Sequence, residues 1–190
     1  MKYFMNKENV DNYIKMNQDY DPKVIVNILR TYLPDKSSIL ELGMGEGKDL
    51  DELSKYYNII GSDNSQVFVE NYNKSHTVKK AIHVDAIEMD IDEKFDCIYS
   101  NKVLQHLTRK DFEKSIYLQM KNLNPQGIVF MTLWKGKHRE EMMFDDQIRF
   151  TYYDEEDILE IIQKNYNVID IKTYTEMEEG DSLLIVLQVK

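Results

Sequence analysis

The sequence predicts an α/β protein: a doubly wound, mostly parallel sheet of seven strands, with an antiparallel strand supplied by a C-terminal hairpin. Three observations carry this expectation. Short apolar runs alternate along the chain with stripes of helical spacing, the pattern of strands covered by helices on both faces. The first apolar run, Ser38-Ile39-Leu40-Glu41-Leu42, passes through Gly43, Gly45 and Gly47 directly into a helical pattern. At the C-terminus, two β-rich runs are separated only by Glu178-Glu179-Gly180-Asp181, which reads as a hairpin connection.

In chain order, residues 1–20 are rich in aromatics and read as an N-terminal cap helix outside the core pattern. Asp21-Pro22 is an N-cap followed by Pro in the first turn, and Val24, Ile25, Ile28, Leu29 and Tyr32 carry that helix towards Pro34. Leu50, Leu53 and Tyr57 extend the helix opened by the glycines. A second strand through Ile59-Ile60 ends at Asp63, and Ser65 caps a helix bearing Phe68 and Tyr72. Thr108 with Asp111 has the form of a capping box, followed at helical spacing by Phe112, Ile116 and Met120. Gly127 to Trp134 is a buried strand, and residues 135–153 form a polar insertion on the substrate side. Asp154 with Asp157 opens a last helix, and strands Tyr166–Met177 and Leu183–Val189 make the hairpin.

With 190 residues, 42% of them hydrophobic, the chain can bury one substantial core, so residues 1–190 read as a single domain. A formal charge of −10 and the lack of a basic cluster free of acids argue against nucleic acid as a partner. Cys97, the single cysteine, sits in an apolar strand and reads as an inert core thiol; no cysteine pair is available for zinc, and no metal site is expected. No apolar run approaches the ~20 residues of a membrane span, and the N-terminus lacks the apolar core of a signal peptide. A cytoplasmic location is the resulting expectation.

The glycines carry the chemistry. They let the backbone turn sharply and approach a ligand with no Cβ in the way, while the helix behind them offers free N–H groups. Asp63 lies about 20 residues past the first glycine, the separation at which a nucleotide site places a carboxylate on ribose hydroxyls. NAD and S-adenosylmethionine sites share that contact. The dinucleotide fingerprint asks for a further glycine where this chain has Lys48, which disfavours NAD.

Four more segments follow: Ile82-His83-Val84-Asp85-Ala86, the run from Phe95 to Leu107, Leu123-Asn124-Pro125-Gln126-Gly127, and Arg149-Phe150-Thr151-Tyr152-Tyr153. In this order the chain resembles the class I S-adenosylmethionine-dependent methyltransferases of small-molecule type, from about residue 20 to the C-terminus. It departs at Gln126, where the family usually has glycine. The resemblance implies a Rossmann-like sheet with S-adenosyl-L-methionine as cofactor. It places Gly43, Met44 and Gly45 along the methionine moiety and Glu41 near the ammonium group. Asp63, with Asn64, falls at the ribose; Asp85 and Ala86 meet the adenine amino group. Ser100, Asn101 and Val103 lie at the end of the fourth strand near the sulfonium, and Tyr20 completes the set. Asp63 also suits a cap before Ser65, and Asp85 an ordinary loop acid.

The implied reaction is methyl transfer to a small-molecule acceptor, and a base is needed only if the acceptor arrives protonated. His106, just after the fourth strand, is the candidate; capping or packing that turn is its alternative role. His138 falls in the insertion, where it can face substrate, while His76 and His83 read as surface or strand residues. Aromatics and methionines of the N-terminal stretch (Tyr3, Phe4, Tyr13, Met16) and of the insertion (Met142, Met143, Phe144) suit either a pocket or packing. Two other functions remain open: a nicotinamide-dependent oxidoreductase, and a non-catalytic S-adenosylmethionine-binding module.

Overall fold

The computed structural model describes residues 3–190, so Met1 and Lys2 of the expected N-terminal cap lie outside the described residues. After a tight turn at Tyr3–Met5 come helices α1 (Lys7–Met16) and α2 (Lys23–Leu29). The order then runs β1 (Ser38–Leu42), α3 (Lys48–Leu53), β2 (Asn58–Asp63), α4 (Gln66–Ser75) and β3 (Ala81–His83). It continues with β4 (Phe95–Asn101), α5 (Arg109–Gln119) and β5 (Leu123–Trp134). Two short strands, β6 (Arg139–Met143) and β7 (Ile148–Tyr152), lead to α6 (Glu155–Ile162), β8 (Tyr166–Tyr174) and β9 (Ser182–Val189).

Seven strands share one sheet in the order β3-β2-β1-β4-β5-β9-β8, in which β9 runs antiparallel to both its neighbours. Successive residues of a strand point to opposite faces, and here both faces are covered. Ile39, Cys97, Tyr99 and Phe130 pack with Leu29, Leu50 and Tyr72 of α2, α3 and α4. On the other face Leu40, Ile98 and Val129 pack with Phe112 of α5 and with Ile158 and Ile162 of α6. Double coverage is why these strands read as continuous apolar runs. Cys97 is fully buried, and burial pushes its thiol pKa up, consistent with an inert core residue.

Most expected caps form. Ser65 accepts the Phe68 N–H, Asp154 and Asp157 make a reciprocal capping box, and Asp21 accepts the Lys23 N–H at 3.1 Å. The box at Thr108 is only half made: Thr108 accepts the Asp111 N–H, but the Asp111 carboxylate takes the Thr108 hydroxyl at 2.7 Å. Helix α2 stops short of Pro34, because the N–H groups of Thr31 and Tyr32 turn back to the Ile28 and Leu29 carbonyls. Strand β8 ends before Met177, because the Asp181 carboxylate gathers the N–H groups of Glu176, Met177 and Glu178 into a turn. The larger difference lies in residues 135–153, where β6 and β7 form a separate two-stranded sheet. Arg139, Glu140 and Glu141 give β6 no apolar alternation, so the sequence carries no strand signal there.

Strand β5 starts earlier than Gly127 and bulges: Phe95 faces Leu123, whereas Cys97 faces Ile128. Within the bulge, exposed Gln126 has φ +65°, in the left-handed region that glycine adopts freely. The departure from the family pattern therefore bears on the backbone. Gln126→Gly should stabilise the fold by about 0.5–1 kcal/mol, the relieved strain outweighing the added freedom of the unfolded chain. A urea titration should show a higher midpoint; a lower one would mean that the glutamine side chain holds the bulge.

Candidate functional site

The strand order reverses between β1 and β4, and the loops at their carboxyl ends open into two adjoining cavities, the usual ligand position in such sheets. The loop after β1 is shaped by glycines with positive φ. A Cβ on Gly43 (φ +70°) would lie 2.4 Å from a methyl of Val103, so this position admits no side chain. At Gly45 (φ +53°) a Cβ would meet only Tyr13, at 3.9 Å, and Gly45 lines both cavities. Main chain is thereby laid against open space.

The smaller cavity, about 390 Å³, holds Asp63, Asn64, Asp85 and Ala86 beside the rings of Phe4 and Phe68. Asp63 accepts the Gly45 N–H at 3.0 Å and the Ser65 N–H at 2.7 Å, tying the glycine loop to the start of α4. Burial raises its pKa, and those two N–H bonds oppose the shift. Asp85 accepts the Ile87 N–H at 2.7 Å and the Asn64 amide at 2.8 Å. Both acids thus serve as loop caps, and both also face the cavity.

The larger cavity, about 560 Å³, lies over the ends of β1 and β4. Beneath it Asp49, in the first turn of α3, accepts hydrogen bonds from Tyr99 (2.7 Å), Tyr20 (2.8 Å) and Asn101 (3.0 Å). Thr132 of β5 donates to the Asn101 amide oxygen at 2.5 Å and fixes that amide's orientation. Glu41 is the opposite case. It is only 3% exposed, it lines the cavity, and its Oε2 is buried with no hydrogen-bond partner. Burial, with Asp49, Asp63 and Asp51 nearby, holds its carboxyl well above the usual range. An orphaned buried carboxylate facing a cavity beside exposed main chain fits a cationic ligand group.

His106 borders both cavities. Its Nδ1 is 2.7 Å from the Arg149 carbonyl; a carbonyl only accepts, so Nδ1 carries the proton and Nε2 the free lone pair. Burial lowers its pKa, which keeps the ring neutral. Nearby, Lys102 extends from the end of β4 with φ +57°. Its Nζ lies 3.4 Å from the centre of the Trp134 ring, donates to Ser182 at 2.6 Å and pairs with Glu176 at 3.0 Å. Burial depresses its pKa to about 8.

Nearly every residue singled out from sequence reaches one of these cavities. Ser100 does not: buried in β4, it points away from the face that carries Tyr99 and Asn101 to Asp49, and it lines neither cavity. Tyr20 arrives, but its hydroxyl is committed to Asp49. Met44 is 5% exposed and packs in the core under the loop. Asp49, Lys102 and Glu176 were not anticipated. Their only sequence signal is a charge at the edge of an apolar element, which solvated surface residues share. Among the described residues no cluster of His, Cys, Asp or Glu suits a metal, and no helix is long and apolar enough to cross a membrane.

Glu41 gives a measurable consequence. A carboxyl whose folded pKa is raised weakens the fold as pH climbs above its unfolded value of about 4.3. Glutamine escapes this penalty. The melting temperature of Glu41→Gln relative to wild type should therefore rise between acidic pH and pH 8; a constant difference would show that Glu41 is not confined as described.

Residues 39–127 match the family model of a methyltransferase domain. The chain is similar to the carboxy-S-adenosyl-L-methionine synthase of Nautilia profundicola, 29% identical across 68% of this chain; the match spans 57% of that relative's length. The 1,6-didemethyltoxoflavin-N1-methyltransferase of Burkholderia thailandensis, solved with S-adenosylhomocysteine, shares the fold with a TM-score of 0.77. Identity there is 14%, over 95% of this chain and 83% of that one. A S-adenosylmethionine-dependent methyltransferase of Clostridium acetobutylicum gives a TM-score of 0.73 at 16% identity, over 96% and 98% of the two chains. By the domain match over residues 39–127, the strand order and the glycine loop after β1, this chain resembles the class I S-adenosylmethionine-dependent methyltransferases.

Proposed function

We propose that the protein binds S-adenosyl-L-methionine across the two cavities and transfers its methyl group to a small-molecule acceptor. The observation that carries this reading is Glu41, a partnerless carboxylate beside the Gly43–Gly45 main chain, suited to the ammonium group of the amino-acid moiety. Asp63 and Asn64 would hold the ribose, and Asp85 with Ala86 the adenine, in the slot walled by Phe4 and Phe68. Asn101 and the Gly43 main chain border both cavities, where the two halves of such a ligand would join. Acids in the first turn of α3, Asp49 and Asp51, oppose the pyrophosphate of a nicotinamide cofactor.

Bound there, the cofactor would supply an electrophilic methyl group carried on a positively charged sulfur. The protein's part is alignment and exclusion of water. His106 Nε2 takes the acceptor's proton as the acceptor's lone pair bonds to carbon. Two covers close the site and meet over it. The N-terminal segment, described from residue 3 to residue 20, is held by the Ser65 hydroxyl donating to the Phe4 carbonyl. The insertion, residues 135–153, brings Phe144 to 5.9 Å from Tyr3. A non-catalytic module would bind the same ligand without turnover.

Calorimetric titration with S-adenosylhomocysteine tests the binding. Wild type should bind with measurable heat, and Asp63→Ala should lose about 1.5–3 kcal/mol, the range for hydrogen bonds to a charged group. Asp63→Asn, which keeps an acceptor oxygen, should recover part of the loss. No heat at saturating ligand would sink the proposal. Transfer of a radiolabelled methyl should fall as pH drops through the His106 pKa, which burial holds below about 6.5. His106→Gln should abolish that acidic limb; if the limb survives, another group is the base.

A further inference from the structure

We infer that the acceptor is an uncharged planar aromatic molecule bearing an O–H or N–H, held in the larger cavity with that group at His106 Nε2. The inference rests on the methyl-transfer reading above and names its substrate class.

The walls argue for an aromatic. A row of rings leads from the mouth to the base: Tyr3 to Phe144 at 5.9 Å, Phe144 to Phe150 at 6.5 Å, and Phe150 edge-on to His106 at 4.8 Å. Trp134 lines the same cavity. Offset and edge-to-face packing on such rings favours a flat π-system over an aliphatic chain.

The charges argue for a neutral molecule. Among the described residues, Lys48 and Lys102 are the lysines that line this cavity, and both are engaged within the protein. Lys102 is held by Glu176, by Ser182 and by the Trp134 face. Lys48 donates to the Asn17 and Gln18 carbonyls and pairs with Glu46 at 3.4 Å. An anionic acceptor would lose its hydration and meet no free cation among the described residues. A cationic one fares no better: Asp49 is saturated by three donors, Glu176 is paired with Lys102 and Glu46 with Lys48, and Glu41 faces the cofactor's ammonium. On the acceptor side, His106 Nε2 has no hydrogen-bond partner among the described residues, and it calls for a donor on the ligand.

Trp134 is the only tryptophan in the sequence, so its fluorescence reports this cavity without turnover. Protein saturated with S-adenosylhomocysteine would be titrated with 6-hydroxyquinoline, 6-methylquinoline and 6-hydroxyquinoline-4-carboxylate. Saturable quenching by 6-hydroxyquinoline is expected, with the carboxylate weaker by at least about tenfold, the cost of an uncompensated charge. The methyl analogue should also bind more weakly, having no donor for His106. Glu176→Gln, which frees Lys102, should improve carboxylate binding and leave 6-hydroxyquinoline little changed. Carboxylate binding equal to or tighter than the neutral compound in wild type would overturn the inference. So would a lack of saturable quenching by 6-hydroxyquinoline when S-adenosylhomocysteine binds with normal heat, an outcome that leaves the methyl-transfer reading standing. If S-adenosylhomocysteine itself does not bind, both fall.

Discussion

A single buried carboxylate joins the parts of this site. Asp49 stands in the first turn of α3 and receives hydrogen bonds from Tyr20, ahead of α2, and from Tyr99 and Asn101 on β4. Three stretches distant in sequence thus converge on one residue placed by the glycine loop. Leaving any of these buried donors unpaired costs about 1–3 kcal/mol, so the arrangement is stiff once formed. The stiffness passes outward. Asn101, oriented from Asp49 on one side and Thr132 on the other, cannot turn its amide freely, and it borders both cavities.

Glu41 lies close to this anchored acid and has the opposite character. Asp49 is saturated with donors, whereas Glu41 is buried with an oxygen that nothing among the described residues satisfies. A fold selected for stability alone would place an apolar residue or an amide there. The group is intelligible as half of an ion pair whose other half arrives with a ligand. The contrast separates two states of buried acids in one site, one holding the protein to itself and one that the proposed binding of S-adenosyl-L-methionine would pair. The chain's charge of −10 accommodates this readily, since the surrounding field favours an incoming cation.

The covers over the cavities come from the N-terminal segment and from residues 135–153 after β5, and neither belongs to the seven-stranded sheet. Their contacts are largely aromatic. Tyr3 and Phe4 pack edge to face at 5.1 Å, Phe4 reaching Phe68 on the smaller cavity and Tyr3 reaching Phe144 on the larger. Hydrogen bonds tie the covers to the body at separate points, from Ser65 to the Phe4 carbonyl, from Lys48 to the Asn17 and Gln18 carbonyls and from Thr151 to the Leu107 carbonyl. Such a join suits a site that must admit a ligand and then exclude water.

The sequence by itself determined the strand order's raw material, the glycine turn and the acids at the ends of β1 and β2. These are local properties: apolar period, capping chemistry and the absence of a Cβ act over a few residues. Glu41, Asp63, Asp85 and His106 were legible because each follows an apolar strand whose direction dictates where its end lies. The tertiary structure alone decided which polar groups meet. Nothing local distinguishes Asp49 from Asp51, yet one is buried under three donors and the other is half-exposed. Lys102 and Glu176 pair only because β9 lies between β5 and β8 and brings the last loop back to β4. Strand β6 escaped notice because it is almost wholly exposed and buries too little to impose an apolar pattern, and β7, which buries Ile148 and Thr151, was legible only as part of a motif. Contacts across long stretches of chain follow from how the sheet is threaded, and short-range patterns carry no record of that.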